Sequence, residues 1–366
     1  MIEFISASLY QPIYLLIVAI ITFICYGYYH PRDGRLQYKD KTGMFTIILV
    51  VCTSIIIGLR PNSGKYFVDM GNYVSYYVDI YEGLPFTFNW DSDNIVFDNL
   101  FVWWASERLG IHKFFLLIAT IYFGGAYLGI RKLFPNDKLV AYLVFLAAFS
   151  TFSYATNGIK AGAAASLFLC AMGYRKNLII CIPLVLISWG FHHSMILPVA
   201  AFGLTLIIRN CSIYFLGWFV CLILAATNIQ EFSLYFARFI TEHGAEYLTT
   251  TEVSEGLKVG LRVDFIIYSS VPVLVGIYTL FIKEIKVSSL YKQLLNLYLC
   301  TNGVWMLCMY ANYTNRIAYL SWFLYPIVLV YPFLQEQWGK ERYRVFGRVM
   351  LLHLCFTLFM YFVYYA

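Results

Sequence analysis

Asn94-Ile-Val-Phe-Asp-Asn-Leu-Phe-Val-Trp-Trp-Ala-Ser-Glu107 is the stretch on which the fold turns. It is apolar enough to resemble a membrane span, yet it carries Asp98 near its start and Glu107 at its end. If it crosses a bilayer, every loop after it changes sides. If it lies along the surface, the rest of the chain keeps its orientation.

The composition around it demands a bilayer. The chain has 366 residues, 61% hydrophobic and 13% charged, whereas a water-soluble domain carries roughly 25% charged residues. Aromatics reach 19%, and Tyr and Trp suit a membrane–water boundary because one end of the ring is apolar and the other forms hydrogen bonds. A helix needs roughly 20 apolar residues to cross the hydrocarbon, with 17 workable. Runs of that kind lie near 11–29, 43–59, 112–130, 139–155, 158–174, 177–190, 194–209, 212–228, 263–283, 291–310, 316–334 and 346–364. The first of them is followed by no small-residue cleavage site and reads as a span, not a leader.

Charge decides the doubtful stretch. Lys and Arg accumulate in short cytoplasmic loops. One alternating set of loops, 30–42, 131–138, 174–177, 209–211, 283–292 and 335–348, holds 17 of the 26 basic residues. That split survives only if 94–109 does not cross. The segment is therefore read as an interfacial or re-entrant helix. The fold class is all-α: a polytopic integral membrane protein of about twelve transmembrane helices with both termini outside. No repeat or linker divides it, so 1–366 is read as a single transmembrane domain with two long outer loops, 60–111 and 229–262. Long loops in compact proteins usually carry function.

Several classes of function fall away. The net charge of +6 reflects loop placement and points to no nucleic acid. All nine Cys sit in or beside apolar runs and no CxxC spacing occurs, which speaks against a zinc or redox site. There is no Walker A pattern and no dinucleotide glycine fingerprint. Asp91-Ser-Asp93 has the letters of a nucleotide-sugar motif but lies in an outer loop, where no nucleotide sugar is supplied. Neither a metal nor a cofactor is expected, and the reaction has to draw on a substrate activated in the membrane.

The informative residues are the cations left on the outer side. Arg60 closes the second run, Lys160 lies in Asn157-Gly-Ile-Lys160, Arg262 opens the ninth in Leu261-Arg-Val-Asp264, and Arg316 opens the eleventh. Snorkelling to anionic headgroups explains any one of them. Four at one depth, on the side that topology depletes of Lys and Arg, also fit an anion site. A membrane-borne anion with two adjacent negative groups is a lipid diphosphate, and the planar guanidinium donates two parallel hydrogen bonds to phosphate oxygens.

Trp189-Gly-Phe-His192-His193-Ser194 places two His at the same depth. Neutral imidazole can accept a proton near pH 7, as a general base must. No His/carboxylate spacing supports metal binding there. Asp69 is the acidic candidate, in the early outer loop just past Arg60. Tyr73, Tyr76, Tyr77 and Tyr81 follow at helical spacing, which fits either an interfacial aromatic belt or a platform for a pyranose ring. Asp264 lies two residues beyond Arg262 and reads as the partner of a nearby cation or as a sugar contact.

Taken in order, Arg60, Asp69-x-x-x-Tyr73-x-x-Tyr76, Asn157-Gly-Ile-Lys160, Phe191-His-His-Ser194, Arg262-x-Asp264 and Asn315-Arg316-Ile before a span ending in Tyr-Pro resemble the EpsG-like exopolysaccharide polymerases, relatives of the Wzy-type O-antigen polymerases. The likeness runs from about residue 10 to 335. The family usually has Arg-Gln where this chain has Lys160-Ala161. The resemblance implies a membrane-embedded C-type glycosyltransferase in a bacterial inner membrane, with its site facing the periplasm. Its substrates are polyprenyl-diphosphate-linked oligosaccharide donor and acceptor. Arg60, Lys160, Arg262 and Arg316 then hold the diphosphate, His193, His192 or Asp69 is the base, and Tyr73, Tyr76, Asn157 and Asp264 meet sugar. A chain-length regulator and a flippase are the implied partners beside membrane lipids. An O-antigen ligase would use the same anion site. A non-enzymatic transporter of lipid-linked glycans would instead place charges at the bilayer midplane with paired broken helices, and a membrane acyltransferase would need a cytoplasmic acyl donor.

Overall fold

In hydrocarbon a chain must satisfy its own N–H and C=O groups, and a helix does so locally. The computed structural model describes residues 5–29, 43–83, 85–227, 260–311 and 313–364, and over them every regular element is a helix. The expected inner loop 30–42 and almost all of the expected outer loop 229–262 lie outside the described residues. Among the described residues five helices are long and apolar enough to cross a membrane, and six shorter apolar helices accompany them. This is a polytopic membrane protein.

In chain order the helices are α1 (Tyr10–Tyr29), α2 (Gly43–Gly58), α3 (Val68–Gly83), α4 (Ile95–Ser106), α5 (Ile111–Leu133), α6 (Lys138–Leu146), α7 (Thr151–Thr156), α8 (Ile159–Gly173) and α9 (Leu178–Phe191). A 3-10 turn, His193–Met195, leads into α10 (Ile196–Ile207), followed by α11 (Cys211–Ala226), α12 (Val263–Ile277), α13 (Ser289–Leu307), α14 (Thr314–Trp322), α15 (Tyr325–Gln335) and α16 (Arg342–Phe359). The chain packs as two compact units, Met1–His192 with Lys340–Ala366, and His193–Gly339.

In the first unit small residues set the spacing. Lipid tails are as apolar as Leu, so helices associate through close packing and favour Gly, Ala and Ser at the seam. On α5, Gly125 faces Ser166 and Gly129 faces Leu169 and Cys170 of α8. A β-carbon at Gly129 would lie 2.5 Å from the Leu169 carbonyl oxygen. Both pairs advance together along the two helices, so α5 and α8 run parallel and start at the same end of the unit.

That geometry settles what 94–109 does. The first turns of α4 meet the start of α8 and the end of α9: Asp98 pairs with Lys160, Gly190 abuts Val96, and Phe97 meets Phe191. Its last turns meet the start of α5: Trp104 Nε1 donates to the Gly110 carbonyl at 3.0 Å, and Phe101 packs on Phe114. Both ends of α4 therefore lie at the same end of the unit. The helix lies across that end and does not pass through. The twelve residues of α4 also rise only about 18 Å.

Two expected spans depart from a continuous helix, and one of them, 316–334, is divided into α14 and α15 at Phe323 and Leu324. Residues 139–155 are helical as α6 and α7, with a break between Leu146 and Thr151. The break leaves carbonyls without helical partners, and side chains replace them. His353 Nε2 meets the Val144 carbonyl at 3.1 Å, Thr151 Oγ1 donates to Phe145 at 2.6 Å, Tyr14 Oη to Leu146 at 2.6 Å and Thr357 Oγ1 to Ala147 at 2.7 Å. Three of those four donors come from α1 and α16, which hold the break in place.

The second unit is tied by buried indoles. Trp218 Nε1 on α11 donates to Asn302 Oδ1 on α13 at 2.8 Å, and Asn302 Nδ2 donates to Ser321 Oγ on α14 at 3.0 Å. Trp322 Nε1 donates to Ser269 Oγ on α12 at 2.8 Å, and Tyr298 Oη to the Ser269 carbonyl at 2.8 Å. These bonds offset the desolvation of the groups that make them and fix the register of four helices.

Candidate functional site

Where α2 ends and α5 and α8 begin, the predicted site residues Arg60, Tyr73, Asn157 and Lys160 come together. Arg60 follows α2 and is only 1% exposed. Its fork is spent on backbone: Nη1 donates to the Ile57 carbonyl at 2.9 Å and Nη2 to the Thr156 carbonyl at 2.8 Å. The guanidinium carbon also lies 5.3 Å from the Phe67 ring centre and 5.1 Å from that of Phe115. Burial pushes its pKa down to about 10, opposed by Tyr10, so it stays charged at neutral pH. Arg60 therefore joins the end of α2 to the C-terminal carbonyls of α7, where the helix dipole favours a cation. Asn157 caps α7 next to that contact, and its Oδ1 is buried without a hydrogen-bond partner.

Lys160, in the first turn of α8, is 22% exposed and pairs with Asp98 Oδ1 at 3.0 Å over the Phe97 ring. Asp98 Oδ2 also accepts from Ser92 Oγ at 2.7 Å. The residue whose charge argued against a span is thus the counter-ion of a candidate site cation. Sequence reading passed over that role, although an acidic side chain in an apolar surface helix was the available signal. His112 was passed over too. It sits in the first turn of α5 within electrostatic reach of Arg60, with Nδ1 buried and unpartnered.

The tyrosine stripe is a helix, α3, as its spacing predicts. Tyr73 is half-buried among Phe97, Phe101 and Phe115. Tyr77 accepts from the Gly110 amide at 3.0 Å. Tyr76 stacks on Phe101 at 5.6 Å while remaining half exposed, so one part of its ring is open to a ligand. Asp69 lies half-buried in the first turn of α3. His192 ends α9 in extended backbone, next to the Phe191 that packs on Phe97.

The remaining candidates belong to the second unit. Arg262 precedes α12 and grips Asp264 with its fork, Nε to Oδ1 at 3.0 Å and Nη2 to Oδ2 at 2.6 Å. The pair is 11% and 17% exposed, and the guanidinium lies flat on Phe265 at 3.6 Å. Arg316 lies in the first turn of α14 beside Tyr313, exposed, with no ion-pair partner among the described residues. Tyr313 holds the left-handed conformation at φ 55°, which costs a bulky residue energy and is common where function fixes the backbone.

Both α12 and α14 run antiparallel to α13: Phe265 meets Trp305 while Ser269 meets Tyr298, and Thr314 meets Trp305 while Ser321 meets Asn302. The two helices are therefore parallel, and Arg262 and Arg316 start them at the same end of the unit. His193 opens the 3-10 turn at the first residue of this unit. The boundary between the units falls between the two histidines. Among the described residues no three His, Cys, Asp or Glu side chains come together to hold a metal ion.

The model of the EpsG family matches residues 43–366. No curated protein and no solved structure matches the chain.

Proposed function

The chain belongs to the EpsG family, which gives it a polysaccharide-polymerase type of role, and we propose that it moves a glycan from a polyprenyl-diphosphate-linked donor onto a lipid-linked repeat unit. The acceptor hydroxyl attacks the anomeric carbon of the donor, the carbon–oxygen bond to the diphosphate breaks, and the lipid diphosphate leaves with the electron pair. A base takes the acceptor proton. Preorganised positive charge aimed at the leaving group is the usual way to lower such a barrier, and it requires no metal.

The observation that carries this reading is the pair of arginines at the same end of the second unit. Asp264 and Phe265 fix the Arg262 guanidinium in place, while Arg316 is exposed and has no carboxylate partner among the described residues. One is oriented and the other free to turn toward a diphosphate. In the first unit, Lys160 is paired with Asp98 and can exchange that carboxylate for a phosphate oxygen. Arg60 shapes its own surroundings there through the backbone carbonyls it binds. Tyr76 offers its open ring to a sugar, and Asn157 offers an unpaired acceptor to a sugar hydroxyl. His193, His192 and Asp69 are the candidate bases. The ligase reading uses the same groups and differs in acceptor, so it is separated by product: a ligase yields transfer to a different acceptor and no ladder of repeats. The basic loops opposite support a working face outside the inner membrane.

Purified protein in liposomes, given a lipid-diphosphate-linked repeat, is expected to produce a ladder of longer glycans and free polyprenyl diphosphate. Single transfer without a ladder would sink the polymerase reading. Orientation is tested separately. Asp91→Cys is expected to react with an impermeant thiol reagent added outside cells, and Lys286→Cys only after the membrane is opened. Ser288 is avoided because its hydroxyl caps α13 and donates to Glu336. Labelling of Lys286→Cys from outside would reverse the assignment.

A further inference from the structure

At the other end of the second unit, between α10 and α13, lies a cavity of about 490 Å³ lined by Thr205, Arg209, Ser289, Lys292, Gln293 and Asn296, with Leu206 beside them. Arg262 and Arg316 start α12 and α14. The intervening helix α13 runs the opposite way, and its first turns form this cavity, so the cavity lies most of a helix length from the arginines. It holds two cations, and among the described residues no carboxylate lines it. Its floor is unusual. Asn296 is 1% exposed; its Nδ2 reaches the Arg209 carbonyl at 3.5 Å, while its Oδ1 is buried without a partner. A buried acceptor left empty costs free energy until a donor fills it. Thr205 is no such donor, since its hydroxyl is already given to the Phe202 carbonyl.

We propose that this cavity binds the headgroup of an anionic phospholipid whose phosphodiester is engaged by Arg209 and Lys292 and whose headgroup hydroxyl donates to Asn296 Oδ1. Three features select that chemistry. The cations call for a phosphate, and basic pockets between membrane helices are suited to lipid headgroups. The empty acceptor calls for a hydroxyl carried on the same ligand, as a glycerol headgroup carries and a choline headgroup does not. The rim is apolar: Leu204, Leu206 and Ile207 of α10 stand exposed beside the cavity, ready for acyl chains that a free anion lacks. Under the orientation proposed above the lipid comes from the inner leaflet, but the binding itself depends on neither the orientation nor the polymerase reading.

The test is thermal unfolding of the full-length protein purified in detergent, with lipid or phosphate added. Dioleoyl-phosphatidylglycerol is expected to raise the midpoint by about 2–4 °C, as a ligand bound only to the folded state does. Dioleoyl-phosphatidylcholine and inorganic phosphate are expected to leave it unchanged. The Arg209→Gln/Lys292→Gln double variant changes two exposed side chains and is expected to fold with the wild-type midpoint and lose the lipid shift. Asn296→Leu is expected to lose it as well. An equal shift with phosphatidylcholine, an equal shift with inorganic phosphate, or a full shift in the double variant overturns the proposal.

Discussion

Arg316→Ala is expected to lower glycan elongation by about 10²–10³-fold, the range found when one preorganised donor to a developing negative charge is removed, while the protein stays folded in the membrane. The fold is expected to survive because the Arg316 side chain is exposed and has no ion-pair partner among the described residues. Exposed substitutions of that kind change stability by about 0.5 kcal/mol or less. Arg316→Lys is expected to recover part of the rate, since the charge remains but the two-pronged fork is lost. Arg262→Ala should be as damaging to turnover and more damaging to the fold. It takes from the Asp264 carboxylate, 17% exposed, the guanidinium that grips it, and truncating one partner of a largely desolvated ion pair is costly. Adding Asp264→Ala removes the other half of that pair. If the double variant regains the wild-type unfolding midpoint but not elongation, Arg262 acts on the diphosphate and not only on the fold. Full elongation by Arg316→Ala and by the double variant would show that both arginines merely reach for headgroups.

The spans are legible in the sequence because apolar runs and basic loops are local signals, and loop charge alone puts α4 on the surface. The break between α6 and α7 carried no such signal. Ala147, Ala148 and Phe149 are as apolar as their neighbours, and the groups that complete the broken carbonyls, Tyr14, His353 and Thr357, lie more than 130 positions away. Arg60 shows the same limit within the site. Its sequence context matches that of the other outer cations, yet its fork binds carbonyls of Ile57 and Thr156. A backbone carbonyl is present at every residue and leaves no trace in the letters. Asp98 was visible, but as an obstacle to a span; that it faces Lys160 depends on α4 lying across the starts of both α5 and α8. Arg262 and Asp264 were readable as partners because they are two residues apart.

The identity of the base separates by pH. Free imidazole titrates at about 6.5 and a carboxylate at about 4. A base works only in its deprotonated form, so a histidine makes elongation fall as pH drops through the imidazole range, whereas a carboxylate holds activity two units lower. His192 ends α9 in extended backbone at φ −152° and ψ 117°, whereas His193 opens the 3-10 turn that follows. The two histidines stand in different backbone settings, and one alanine variant is expected to be inactive and the other near normal. Asp69 is the rival, at the start of a helix whose tyrosines pack on α4, where it would meet an acceptor sugar stacked on Tyr76. Elongation should be measured from pH 4 to 8 for the wild type, His192→Ala, His193→Ala and Asp69→Asn, with unfolding midpoints recorded at each pH. If a histidine is the base, one His variant loses at least about 10²-fold, its residual rate no longer falls between pH 7 and 5, and Asp69→Asn keeps the wild-type profile. If Asp69→Asn alone is inactive and the wild type holds its rate to about pH 5, the proton goes to the carboxylate. Activity in all three variants would mean that charge on the departing diphosphate suffices, and that the acceptor proton leaves to water.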